Sequence, residues 1–165
     1  MDEREKSWAK AELARFIDDQ LREFVVKTFG IQSSPAWVWS IGLEAFPPYY
    51  DTTKKTIVLP EFIYVQGYLI DPDATKRALR WVLGHEYWHY VQHQRGEWVR
   101  GAGIFAGPTL EERVAVTRAS ILTGISNMEG LILTEHVLEA IIEKKVDEIG
   151  EKRWPYARFE EMFSY

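Results

Sequence analysis

Two histidines four residues apart, with a glutamate beside the first, carry the clearest chemistry in this chain: His85-Glu86-Tyr87-Trp88-His89. An α-helix turns about 100° per residue, so His89 stands about 40° from His85 and one turn further along. Two imidazoles at that spacing reach a single metal ion. Glu86 lies next to them around the helix, displaced towards the N-terminal histidine. There its carboxylate addresses a water at the metal without being a ligand, the arrangement used for general-base hydrolysis. Ala78, Leu79, Val82, Leu83 and Tyr90 cover an arc of the same helix that also contains His85, Glu86, His89 and His93. Imidazoles and a carboxylate on a packing face are costly to bury unless they are hydrogen-bonded, charge-paired or metal-bound. Two other readings compete. One is a helical protein with a hydrogen-bonded His–Glu pair in its core. The other is a di-iron bundle, which needs a Glu-x-x-His pair on each of two helices, whereas Glu86 and His89 form one pair here.

Two histidines leave a catalytic zinc site incomplete, since such sites hold three protein ligands and keep one position open. His93 is one more turn along, but the rise from His85 to His93 is about 12 Å, too long for three ligands to curve round one ion. It reads better as a core or supporting histidine. Leu110-Glu111-Glu112-Arg113-Val114-Ala115 offers two carboxylates. Glu112 shares its side of a helix with Ala115, Val116 and Ala119, small or apolar residues that admit a neighbouring helix. Glu111 turns towards Arg118. Thr109 and Glu112 also have the spacing of a capping box, which would use the carboxylate locally.

The elements that must position these groups follow from periodicity. Trp8, Leu13, Phe16, Ile17, Leu21, Phe24, Val25 and Phe29 recur at helical spacing, with Gly30 as the C-terminal cap. Residues 35–60 change character. Ala36–Ile41 and Thr56–Leu59 are β-prone, with Pro47-Pro48 and Asp51–Lys55 as turns, and together they predict a small antiparallel or mixed sheet. Glu61–Tyr68 has no clear type. Asp71-Pro72 opens a helix that runs to about Arg95. Gly96, Gly101, Gly103 and Gly107 punctuate a connection suited to a lid. Helices follow from about Pro108 to Leu122 and from Ser126 to before Gly150, the latter with Ser126 and Glu129 as a capping box. The aromatic tail 151–165 reads as docked. The expectation is one α+β domain over 1–165, with the sheet packed against the motif helix and three further helices.

Composition narrows the function. With 20 Lys+Arg against 25 Asp+Glu, net charge −5 and pI near 5.4, no broad nucleic-acid face is expected. The absence of cysteine excludes disulfides and a thiol nucleophile. The first residues have no apolar run behind them, and no stretch approaches the roughly 18 apolar residues of a spanning helix. A cytoplasmic protein without membrane contact is the expectation. One Asn against 18 Glu leans towards a heat-adapted source.

His85-Glu86-Tyr87-Trp88-His89 followed by Glu112-Arg113-Val114-Ala115 resembles the gluzincin metallopeptidases, especially the small single-domain minigluzincins. The resemblance covers roughly residues 36–121. It implies Zn²⁺ held by His85, His89 and Glu112, with Ala115 as the small residue facing the motif helix. It further implies Glu86 as the general base in hydrolysis of a peptide or protein substrate. Family members often carry an acidic residue one position beyond the small one to support a ligating histidine. Val116 stands there, so that support must come from elsewhere. The family also binds substrate along a sheet edge, and Thr56–Leu59 is the strand nearest in sequence to that role. His93, Tyr90, His136 and Tyr156 are candidate donors to the developing oxyanion, and Trp81, Trp88 and Trp98 are candidate subsite walls. A catalytically silent metal-binding regulatory or interaction domain of the same fold is the alternative function.

Overall fold

The computed structural model describes residues 2–41, 47–97 and 110–149, with side chains described as far as 144. Gly101, Gly103 and Gly107 of the glycine-rich connection, Trp98, Thr109 and the aromatic tail with Tyr156 lie outside these residues. The described architecture is α+β: a three-stranded mixed sheet against five helices.

Helix α1, Glu3–Val26, starts where the Asp2 side chain accepts from the Arg4 amide at 2.9 Å. It turns Ala9, Leu13, Ile17, Leu21 and Phe24 into the core, and each large apolar side chain so buried contributes about 1.5–3 kcal/mol. The helix ends four residues before the expected glycine. The Thr28 hydroxyl donates to the Phe24 carbonyl at 2.6 Å and closes the last turn, and Gly30 takes φ +83° in the turn that follows.

Strands β1 (Ala36–Ser40), β2 (Tyr49–Asp51) and β3 (Thr56–Pro60) are ordered β1-β3-β2. β1 runs parallel to β3, and β2 antiparallel, with Tyr50 opposite Ile57. The Asp51 carboxylate accepts from the Thr53 and Lys54 amides at 2.9 and 3.1 Å, which fixes the β2–β3 turn. β3 is the central strand and is buried at every position, so it is not the substrate edge expected of it. Both sides of its backbone are already paired. Its continuous apolar run is the signature of a strand covered on both faces.

Glu61–Ile70, left without a type by periodicity, is a helix, α2. From Glu61 to Tyr68 only Phe62 escapes full burial, so there is no polar stripe for a helical period to reveal.

Helix α3, Pro72–Gln94, is capped by Asp71, which accepts from the Ala74 amide at 3.2 Å, and has Pro72 in its first turn. It packs against α1, α2, β2, α4 (Leu110–Thr123) and α5 (Asn127–Ile149). Every residue from Trp81 to Gln92 is buried in consequence. At the start of α5 the Ser126 hydroxyl accepts from the Glu129 amide at 3.1 Å, as a capping box requires. The Glu129 carboxylate instead holds Arg77 of α3 at 2.7 Å, which ties the two helices together. No helix among the described residues is long and apolar enough to cross a membrane.

Close approach of α4 to α3 depends on small residues. Ala115 and Ala119 are fully buried, and a Cβ on Gly84 would lie 2.5 Å from Thr123 Cγ2. Thr123 cannot yield cheaply, because its hydroxyl donates to the Ala119 carbonyl at 2.6 Å and accepts from the Ile125 amide at 3.2 Å. Replacing a helical Gly by Ala ordinarily gains about 1 kcal/mol of propensity. Overpacking costs about 1–3 kcal/mol, so the clash wins. Gly84→Ala is expected to lower the denaturant midpoint. In a Thr123→Ser background, which removes the methyl and keeps the hydroxyl bonds, the same substitution should become neutral or stabilising.

Candidate metal centre

His85 and His89 project from the buried middle of α3 towards the first turn of α4, where Glu112 meets them. Their Nε2 atoms lie 3.2 Å apart. Glu112 divides its two oxygens between them, Oε2 at 3.1 Å from His85 Nε2 and Oε1 at 3.1 Å from His89 Nε2. Four ligands about 2.0–2.1 Å from a tetrahedral zinc are separated from one another by about 3.3–3.4 Å. With one donor atom from each residue, the three lie within 4.8 Å of one another, close enough for one ion to reach all three. The two histidines are 4% and 3% exposed, and the wider access is at Glu112. Among the described residues these three form the one group of His, Asp and Glu side chains convergent enough to hold a metal. Glu111 is not part of it, and neither is His93. Thr109, the cap residue of the alternative reading, lies outside the described residues, while both Glu112 oxygens face the histidines.

Gln92 supplies the support that Val116 cannot. Its side-chain amide nitrogen donates to the Glu111 carbonyl at 2.9 Å. A carbonyl only accepts, so this bond fixes which end of the amide is which. Gln92 Oε1 must then be the atom 2.9 Å from His89 Nδ1, and it accepts the proton there. His89 is thereby held with Nδ1 protonated and the Nε2 lone pair directed at the metal position. Gln92 is 2% exposed and escaped sequence reasoning. The signal was its place three residues after His89, one turn further along the same face.

Electrostatics balance around this triangle. Burial would lower the His89 pKa, but bonding to Glu112 and the charges of Glu86 and Glu112 outweigh it and raise the group above its ordinary value. Burial dominates at His85 and lowers it, with partial relief from Glu112. Burial also opposes ionisation of Glu112, yet the hydrogen bonds from both imidazoles hold its carboxyl well below the usual carboxylate range.

Glu86 stays out of the donor set. It is 3% exposed, and burial pushes its carboxyl up to about 8, with the His89 charge and a hydrogen bond from the Tyr50 backbone pulling the other way. Tyr50 belongs to β2, which therefore lies beside Glu86. That short strand is an edge of the sheet and packs on α3, so it holds the position that sequence order suggested for β3. Tyr64 of α2 is buried close enough for the Glu86 charge to raise its phenol further, on top of burial.

Tyr90, His93 and His136, the candidate oxyanion donors among the described residues, each have another partner. Tyr90 donates to the Ser33 carbonyl at 2.8 Å, and His93 Nδ1 lies 2.8 Å from the Tyr50 hydroxyl. His136 is exposed and pairs with Asp71 at 2.9 Å, at the cap of α3. Trp81 is buried where α5 crosses, against Gly130, and Trp88 lies beneath Arg95 and Arg118.

The triad matches the gluzincin arrangement. No protein-family model, no curated protein and no solved structure matches this chain, so the likeness rests on the site itself.

Zinc and protons compete for the two imidazoles, which ligate only when neutral. Binding is expected to release protons and to weaken as pH falls through the imidazole range, which calorimetry in buffers of different ionisation enthalpy will show. Loss of a group that orients a ligand typically costs about 10–100-fold in metal affinity. Gln92→Leu should weaken zinc by that factor in a chelator competition, while Val116→Ala should leave it unchanged.

Proposed function

We propose that this chain is a zinc-dependent peptidase in which His85, His89 and Glu112 hold the metal and Glu86 is the general base. One observation carries the reading. Two imidazoles from α3 and a carboxylate from α4 converge with one donor atom each inside 4.8 Å, while Glu86, on α3 with the histidines, stays outside the donor set. A structural ion pair needs the first feature and has no use for the second. When bound, zinc supplies a Lewis acid that polarises a carbonyl and makes water acidic enough to lose a proton near neutral pH.

The chain's own residues do the rest. Glu86, buried beside the imidazoles, takes the proton of the attacking water at a carboxylate oxygen and passes it to the leaving nitrogen. A buried carboxyl pushed upward suits a group that must both accept and return a proton. Gln92 keeps His89 in the ligating tautomer. The β2 edge beside α3 offers an extended peptide backbone a strand to pair with, which favours an unfolded or flexible peptide as substrate.

Glu86→Gln should abolish cleavage of an unfolded protein substrate, by at least about 10²-fold as expected for loss of a general base. Metal analysis of the same variant should still find one zinc per chain. His89→Ala should lose both metal and activity. A chain that binds zinc stoichiometrically yet cuts no peptide would instead be the silent regulatory domain, and one that takes up no zinc would be the metal-free helical protein.

A further inference from the structure

We propose that a second site, formed by the end of α1, the C-terminal half of α3 and α4, binds a small carboxylate with a short apolar tail. The cavity there measures about 300 Å³, and its lining includes Lys27, Arg95, Arg118, Trp88, Ile121 and Leu122. Among the described residues, none of the candidate metal donors lines it, and neither does any Asp or Glu. It stands independently of the peptidase reading.

The charge at this recess is only partly compensated: Lys27 has Glu23 within reach, and Arg95 donates to the Phe29 carbonyl at 2.8 Å, a neutral partner. In a chain of net charge −5, Arg15, Arg22, Arg77 and Arg80 each meet a carboxylate. Arg95 and Arg118 meet none among the described residues. Their guanidinium carbons lie 5.5 and 5.4 Å from the centre of the Trp88 ring, so the indole holds both cations at the cavity. Lys27 faces Glu23 at 3.7 Å, but that carboxylate already holds Arg80 at 2.6 Å. Three cations on one concave surface with low-dielectric walls concentrate a positive potential where a ligand would enter.

The walls define the rest of the ligand. Trp88 is 7% exposed and forms an apolar floor, with Ile121 and Leu122 beside it. A bare inorganic anion would leave these surfaces unused, and an amine would meet three like charges. A guanidinium presents two parallel N–H groups that match a carboxylate. The volume is at the lower limit of ordinary ligand pockets, about 300–1,000 Å³, so a ligand of about ten non-hydrogen atoms fits and a dinucleotide does not. A medium-chain fatty acid and an apolar C-terminal amino acid share this chemistry.

Titration calorimetry on the full chain tests the site with sodium octanoate below its micellar concentration, N-acetylleucine, octylammonium and inorganic phosphate. One octanoate or one N-acetylleucine per chain is expected, the tighter of the two identifying the source, with octylammonium and phosphate at least about tenfold weaker. Losing one charge-assisted hydrogen bond should weaken the carboxylate about tenfold. That loss is expected in Arg118→Gln and again in Lys27→Gln, two exposed positions whose replacement leaves the core intact, and Arg118→Lys should recover part of it. Equal binding of octylammonium, or octanoate binding unchanged in both Gln variants, overturns the site. Phosphate binding as tightly as octanoate overturns the ligand class.

Discussion

Glu112 bridging His85 and His89 is the interaction that the rest of the structure must accommodate. Three ionisable side chains meet in the most buried part of the molecule, and a fourth, Glu86, lies beside them. Left unpaired, any one of them would cost several kcal/mol on burial. Paired, they shift one another: Glu112 is held ionised, His89 is raised and His85 is lowered. The cluster has the donor set and the proximity to hold a metal cation.

That site exists because α3 is surrounded. α1, α2, β2, α4 and α5 all pack against it, and its residues from Trp81 to Gln92 have no solvent-facing side. Polar residues survive there because each has a partner on a named neighbour: Glu112 from α4 for the histidines, the Tyr50 backbone from β2 for Glu86, and the Glu111 carbonyl for Gln92. The helices reach this proximity through Gly84, Ala115 and Ala119, whose small volumes bring backbones together. Packing and chemistry are one constraint here, since a wider gap between α3 and α4 would separate Glu112 from the imidazoles.

Support for the histidine shows how one function is met by different residues. A carboxylate placed on α4 beyond Ala115 would orient the imidazole and add a negative charge to an already acidic site. Gln92 orients the same ring from α3 itself and adds none. The neutral amide would leave the net charge of a metal-bound site more positive by one unit than a carboxylate would.

His85, Glu86 and His89 were legible because helical spacing alone sets which side chains share a face, and Glu112 because small residues one turn on mark a contact face. The capped starts of α3 and α5 were legible for the same local reason. Asp71, Pro72 and Ser126 act on backbone groups within a few residues of themselves. What involves distant partners had no local signature. α2 is covered on nearly all sides and shows no stripe, β3 became the central strand through pairings on both sides, and Gln92 took its role from a carbonyl on another helix. The cationic recess around Trp88 draws on three helices separated by scores of residues. Sequence by itself determined periodicity, caps and the donor types. The tertiary structure decided which edge is free, which carboxylate arrives and which amide turns, because those depend on what packs against each side chain rather than on what precedes it.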